Sequence, residues 1–274
     1  MHPKLKPLSE QVLVVTGATR GIGLAVCQMA ARQGARVVLG ARNQRTLEQV
    51  EREIRQAGGR VASCALDVAS IEGMERLADC AISHFGEIDT WVNGAGVSLL
   101  GRMERVPEKE HRRLFDTNFW GVVNGSFIGL RYVRDQGGAI INVGCVLSEP
   151  DFPLQGMVSA SKHAVQGFTE AFRLEVEDLQ EPVSVTLVTP AALPLPLCGA
   201  EEVARAILQA AVHSPRDVPR LPVPAPKRSG VDPVLALGAL TLLGAAASFL
   251  GGGPRSRGKR AENERATYHP IERP

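Results

Sequence analysis

A chain of 274 residues with 44% hydrophobic content is long enough to bury a full core as one large domain with a tail. Its formal net charge of +2 gives no electrostatic case for a nucleic-acid partner. The five cysteines (Cys27, Cys64, Cys80, Cys145 and Cys198) are odd in number, dispersed and without C-x-x-C spacing, which argues against a disulfide framework or a metal site and suits a reducing compartment.

Met1-His2-Pro3-Lys4-Leu5-Lys6-Pro7 lacks the apolar run of a secretory signal, so a cytoplasmic location is expected. Gln11-Val12-Leu13-Val14-Val15 is short, apolar and β-branched, the composition of a buried strand. Thr16-Gly17-Ala18-Thr19-Arg20-Gly21-Ile22-Gly23 comes next, and then a helix-forming run, residues 24–33, stopped by Gly34. A glycine turn between strand and helix suits a nucleotide. Backbone N–H groups at the helix N-terminus favour a pyrophosphate, and glycine is needed where a side chain would block its approach.

A second strand is predicted at Arg36-Val37-Val38-Leu39-Gly40, leading into Ala41-Arg42-Asn43. Asn43 is positioned to cap a helix carrying Leu47, Val50 and Ile54 on one stripe, closed by Gly58-Gly59. The strand at residues 60–66 runs into Asp67-Val68, and a helix through Met74, Leu77, Ala78 and Ala81 comes after it. The strand at residues 89–93 ends in Asn93-Gly94-Ala95-Gly96. Residues 108–134 read as one long helix with Asn118 near its middle. A strand at 139–143, a helix from Val158 to about Leu179, a strand at 183–188 and a helix from Glu201 complete the pattern. Residues 217–226 hold Pro219, Pro222, Pro224 and Pro226, so a last strand there should be short or at an edge. Strands alternating with helices imply an α/β fold, a parallel sheet wrapped on both faces and doubly wound in three layers.

With these pieces in order the chain resembles the short-chain dehydrogenase/reductase family over roughly residues 9–215. The resemblance rests on the glycine turn, Leu66-Asp67-Val68, Asn93-Gly94-Ala95-Gly96, Asn118 and Ser159-Ala160-Ser161-Lys162, found in the family's order. It implies a Rossmann-type parallel sheet of about seven strands and hydride transfer between a nicotinamide cofactor and a carbonyl or alcohol. By the same resemblance Gly17, Thr19, Gly21, Ile22 and Gly23 form the cofactor turn. Asp67 and Val68 border the adenine, Asn93, Ala95 and Gly96 line the cofactor, Lys162 holds the nicotinamide ribose, and Pro190 faces the nicotinamide. Asp67 as a turn former and Asn93 as a strand end are the competing readings.

Cofactor choice can be argued from charge. An acid after the second strand suits the ribose 2′-hydroxyl of NAD, whereas a basic residue accommodates the 2′-phosphate of NADP. Here Gly40-Ala41-Arg42-Asn43 has no carboxylate, and Arg20 adds a cation within the glycine turn. The expectation is NADP(H) in preference to NAD(H).

The reaction centre departs from the family. Its general acid–base is a tyrosine four residues before the lysine, on the same helix face. That position is Val158 here, and the family's substrate-orienting serine is replaced by Cys145. Only Tyr132 and Tyr268 exist in the chain, and neither has the required spacing to Lys162. Asn118, Cys145 and Lys162 are what remain of a catalytic set, with rescue of the proton transfer by Ser159, Cys145 or His163 the weaker option. Two readings stay open: an NADP(H)-dependent oxidoreductase with an altered proton path, and a non-catalytic NADP(H)-binding sensor, scaffold or oligomer partner.

The apolar, proline-rich residues 193–197 fall in the substrate-loop region and favour an apolar small molecule. The expected organisation is a binding domain at 1–225, an apolar segment at 226–254 and a charged tail at 255–274. Residues 233–254 carry no charged side chain and as a helix would span about 33 Å, against a hydrocarbon core of roughly 30 Å. Membrane attachment and packing on the domain or a sister subunit both fit that segment, and a homo-oligomer is expected.

Overall fold

A computed structural model describes residues 3–144, 154–190 and 199–213. All belong to the compact unit Met1–Lys227. The predicted last strand at 217–226, the apolar segment at 233–254 and Cys145 lie outside the described residues.

The elements run in the order β1 (Val12–Thr16), α1 (Gly21–Arg32), β2 (Arg36–Ala41), α2 (Gln44–Gln56), β3 (Arg60–Ala65), α3 (Ile71–Phe85) and β4 (Thr90–Asn93). After β4 come α4 (Glu108–Phe115), α5 (Gly121–Val133), β5 (Gly138–Val143), α6 (Gly156–Asp178), β6 (Val183–Val188) and α7 (Ala200–His213). Among the described residues the sheet has six strands, ordered β3-β2-β1-β4-β5-β6, with every neighbouring pair parallel.

The apolar runs are unbroken because both sheet faces are covered. Successive side chains of a strand point to opposite faces, and β1 divides accordingly. Leu13 and Val15 join Val26, Ala30, Leu47, Ile54 and Ile207, under α1, α2 and α7. Val12 and Val14 join Met74, Leu77, Trp91, Ile128 and Phe172, under α3, α5 and α6. This is the three-layer, doubly wound arrangement expected from the sequence. Strand order reverses between β1 and β4, and in such sheets ligands bind outside the carboxyl ends of the strands at that point.

The predicted helix at 108–134 is continuous but not regular. Between α4 and α5 the five residues Asp116–Trp120 form a π-helical turn. Such turns insert an extra residue, rotate the helix beyond them and recur at functional sites. This one carries Asn118, which is fully buried.

The opposite, amino edge of the sheet is closed by polar side chains. Asp89 Oδ2 accepts from the Val12 N–H at 2.7 Å, and Thr90 Oγ1 donates to Gln11 Oε1 at 2.8 Å. Gln11 Nε2 donates to the carbonyls of Lys6 (2.7 Å) and Ala211 (2.8 Å). The Lys6 ammonium reaches Glu87 and Asp89, each at 2.7 Å, and Arg36 reaches Glu87 at 2.7 Å. These contacts hold the end of the domain remote from the crevice.

Candidate active site

The glycine turn is defined by what its residues exclude. Gly17 has φ +72°, a left-handed conformation that L side chains rarely adopt, and a Cβ there would meet Ala95 Cα at 2.8 Å. A Cβ on Gly23 would lie 2.4 Å from the Gly17 carbonyl oxygen. Gly21, at φ +55°, has nothing within 4 Å of the Cβ position, so it faces open space. The turn is tied to β2 by the Ala18 N–H on the Gly40 carbonyl at 3.2 Å. It is tied to the loop after β4 by Thr16, whose Oγ1 accepts from the N–H groups of Gly94 (3.1 Å) and Ala95 (3.3 Å). Helix α1 starts at Arg20 without a side-chain cap, whereas Asn43 caps α2 through the Thr46 N–H at 3.1 Å. The first turn of α1 therefore presents N–H groups that its N-cap side chain does not claim.

Arg20, at the N-cap of α1, and Arg42, directly after β2, are both exposed. Asp67, exposed after β3, accepts the Ala69 N–H through Oδ1 at 3.1 Å, and Val68 beside it is buried against Gly121. The Asn93 side chain turns into the core. Its Nδ2 donates to Asn142 Oδ1 (2.8 Å) and Ser126 Oγ (3.2 Å), and its Oδ1 accepts from Trp91 Nε1 (2.9 Å). Asn142 continues the ladder to Thr169 on α6 at 3.0 Å. Only the backbone of Asn93 is left for the crevice.

At the reaction end three residues converge. A Cβ on Gly96 would lie 3.6 Å from Asn118 Oδ1 and 3.9 Å from Lys162 Nζ. Lys162 Nζ donates to the Val143 carbonyl at 2.9 Å, which draws the ammonium to the carboxyl end of β5. Asn118 grips Val97 from both sides, its Oδ1 accepting the N–H at 2.8 Å and its Nδ2 donating to the carbonyl at 3.0 Å. Its second amide hydrogen goes to Ser161 Oγ at 3.2 Å, and Ser161 in turn donates to the Val158 carbonyl at 2.7 Å. Pro190 lies just beyond the carboxyl end of β6.

Val158 is 5% exposed and packs with Leu114, Val97, Leu99 and Phe115. An apolar cluster thus occupies the position one helical turn before Lys162. Replacement from nearby is poorly supported. His163 is exposed, and its Nδ1 lies 3.0 Å from the Ser159 carbonyl. Tyr132, on α5, is partly buried against the core, and that burial pushes its phenol up. Burial also pushes up the thiols of Cys27, Cys64 and Cys80, the last to about 11. Among the described residues no cluster of His, Cys, Asp or Glu could hold a metal ion.

The Thr16 hydroxyl, the π turn and the Asn93–Asn142–Thr169 ladder are parts of the site that sequence reasoning did not find. Asn142 carried a signal, as a polar residue in the apolar strand Ile140-Ile141-Asn142-Val143.

This chain belongs to the short-chain dehydrogenase family: the model of that family, described as short chain dehydrogenase, matches residues 11–198. It is 39% identical over 236 residues to the uncharacterized oxidoreductase YxnA of Bacillus subtilis, covering 78% of this chain and 66% of the relative. It is 33% identical over 182 residues to 11-beta-hydroxysteroid dehydrogenase A of Sesamum indicum, covering 66% and 51%. The chain thus spans under two thirds of the length of both relatives. A metagenomic short-chain oxidoreductase crystallised with NADP superposes with a TM-score of 0.67 at 30% identity, over 76% of this chain and 93% of that one. An alcohol dehydrogenase of Thermococcus sibiricus, complexed with 5-hydroxy-NADP, superposes with a TM-score of 0.66 at 27% identity, over 72% and 88%. No helix among the described residues is long and apolar enough to cross a membrane.

Proposed function

We propose that this chain binds NADP(H) along the carboxyl edge of its sheet, and that the proton-transfer half of carbonyl–alcohol chemistry is disabled at Val158. The observation that carries this reading is the contrast within one helix. Lys162 reaches toward Gly96 and Asn118, while the side chain four residues earlier is buried among apolar neighbours.

The crevice suits a dinucleotide. Side chains at Gly17 and Gly23 would fill the turn, Gly21 is open, and α1 offers uncapped N–H groups to a pyrophosphate. Gly17, Thr19, Arg20, Gly21, Ile22 and Gly23 would cradle the phosphates. Arg20 and Arg42 would hold the 2′-phosphate, and Asn43 would lend its backbone while its side chain caps α2. Asp67 and Val68 would border the adenine, and Ala95, Gly96, Lys162 and Pro190 would line the nicotinamide half. The bound nicotinamide supplies a hydride donor or acceptor.

A positioned acid–base group contributes about 10²–10⁴-fold, and valine can neither give nor take a proton. Turnover of ordinary ketones should fall by that factor, which leaves a binding protein with residual reductase activity. The apolar surroundings of Val158 favour an apolar substrate. Self-association is supported by an aromatic face across the π turn, α5 and α6. Trp120 is 52% and Phe127 47% exposed there, linked through Phe119, Phe168 and Phe172.

Calorimetric titration of the full chain with NADPH and with NADH tests the reading. Micromolar binding with NADPH preferred is expected, and replacing Arg20 and Arg42 together with alanine should erase the preference. Binding of neither cofactor would overturn it.

A further inference from the structure

A cavity of about 180 Å³ opens between the end of β2, the loop after β4 and α4. It is lined by Arg42, Glu110, Arg113, Leu114 and residues 97–99. The two guanidinium groups come from elements about seventy residues apart. Both side chains are exposed, and neither has an ion pair or hydrogen bond among the described residues. Several other arginines of the domain are paired: Arg36 with Glu87, Arg55 with Glu51, Arg112 with Glu108, Arg131 with Glu75 and Arg134 with Glu181. Glu110 lies on the same wall, so the cavity presents two cations against one carboxylate. Like charges facing one hole repel unless an anion stands between them.

We propose that Arg113 is a third guanidinium for the 2′-phosphate of NADP(H), beside Arg20 and Arg42, closing on it from α4 opposite Arg42. The inference rests on the cofactor reading above and adds to it a residue from outside the glycine turn and β2. Position argues for this anion. Arg42 directly succeeds β2, and the Ala18–Gly40 hydrogen bond holds the glycine turn against the end of that strand, so the cavity borders the phosphate-binding end of the crevice. The planar guanidinium fork suits phosphate oxygens, and a phosphate carrying two negative charges can accept from both arginines. Arg113 sits one residue before Leu114, which is anchored on Val158, so the helix that carries it is fixed rather than adrift.

The test is calorimetric titration of full-length wild type, Arg113→Gln and Arg112→Gln with NADPH and NADH. Arg112 is the control. It carries the same charge one residue away but is engaged with Glu108 at 2.6 Å and does not line the cavity. Thermal melts should be unchanged in both variants, because each side chain is exposed. Arg113→Gln should weaken NADPH about tenfold and leave NADH within twofold, while Arg112→Gln moves neither. Equal loss for both cofactors, no loss for NADPH, or the same loss from Arg112→Gln would overturn the role of Arg113. A wild type without preference for NADPH would overturn the cofactor reading, and this inference with it.

Discussion

Asn118 holds Val97 as one strand holds another, accepting its N–H at 2.8 Å and donating to its carbonyl at 3.0 Å. The π turn makes this possible by presenting a fully buried amide to the loop beyond Gly96. The residue that the family resemblance places in the catalytic set is here the fastener of the loop forming one wall of the crevice.

Asn118→Ala should therefore act first on stability. It strands the N–H and carbonyl of Val97 and removes a partner of Ser161, at about 1–3 kcal/mol for a buried group left unpaired. Urea denaturation would read the loss, and NADPH affinity should fall with it. Unchanged stability would mean that solvent replaces the amide without penalty.

Val158→Tyr should raise NADPH-dependent reduction of simple ketones at least tenfold. It should also cost about 1–3 kcal/mol, because Val158 is closely packed against Leu114. Val158→Phe separates the two effects, with the same overpacking and no hydroxyl. Gain in both variants would show that shape, not the proton, limits the reaction.

Gly23→Ala should abolish cofactor binding and destabilise the domain, since its Cβ would fall 2.4 Å from the Gly17 carbonyl oxygen, a backbone atom. Gly167→Ala, on α6 with open space around it, should be neutral or stabilising by up to about 1 kcal/mol. Parallel melts and titrations of the two variants would check this.

Stability should weaken in acid through Glu87. The hydrogen bond from Lys6 holds its carboxyl below the ordinary value despite some burial, with Arg36 adding to the effect. A lowered carboxylate stabilises the fold above its unfolded pKa of about 4.3, and that contribution disappears as pH falls through the lowered value. Lys6 acts at the other end. Burial works against its charge, but hydrogen bonds to Asp89 and Glu87 outweigh it and raise its pKa, so its contribution is lost only as pH rises past the raised value. Urea midpoints between pH 3 and 6 should fall more steeply in wild type than in Glu87→Gln, and equal slopes would remove Glu87 from the account.

Replacing Trp120 and Phe127 together with glutamate should shift the protein to monomer in size-exclusion chromatography with light scattering. A wild type that is already monomeric would remove the aromatic face as a self-association surface.

Much of the fold was legible because burial on both sheet faces writes itself as unbroken apolar runs such as Val12-Leu13-Val14-Val15. The Asn43 cap was legible for a local reason, its acceptor lying three residues from the Thr46 N–H. The site was less so. Asn93 reads as a cofactor-lining residue by its neighbours in sequence, yet its amide is claimed by Asn142, 49 residues away. The π turn leaves no composition signal, since Asp116–Trp120 has the helical pattern of its flanks. Arg113 looks like any charge on an exposed helix until the fold brings Arg42 across from it.

The ladder from Trp91 through Asn93 and Asn142 to Thr169 also says how this molecule comes apart. Pulling α6 off the sheet would take the Thr169 acceptor from Asn142 of β5, whose Oδ1 also holds Asn93 of β4, so α6, β4 and β5 should melt as a single cooperative unit. Hydrogen exchange should then find the floor of the crevice among the slowest amides in the chain, while the loop fastened by Asn118 opens at lower energy. A rigid floor beneath a loop that can open separately would let a long dinucleotide enter without unfolding its own binding site.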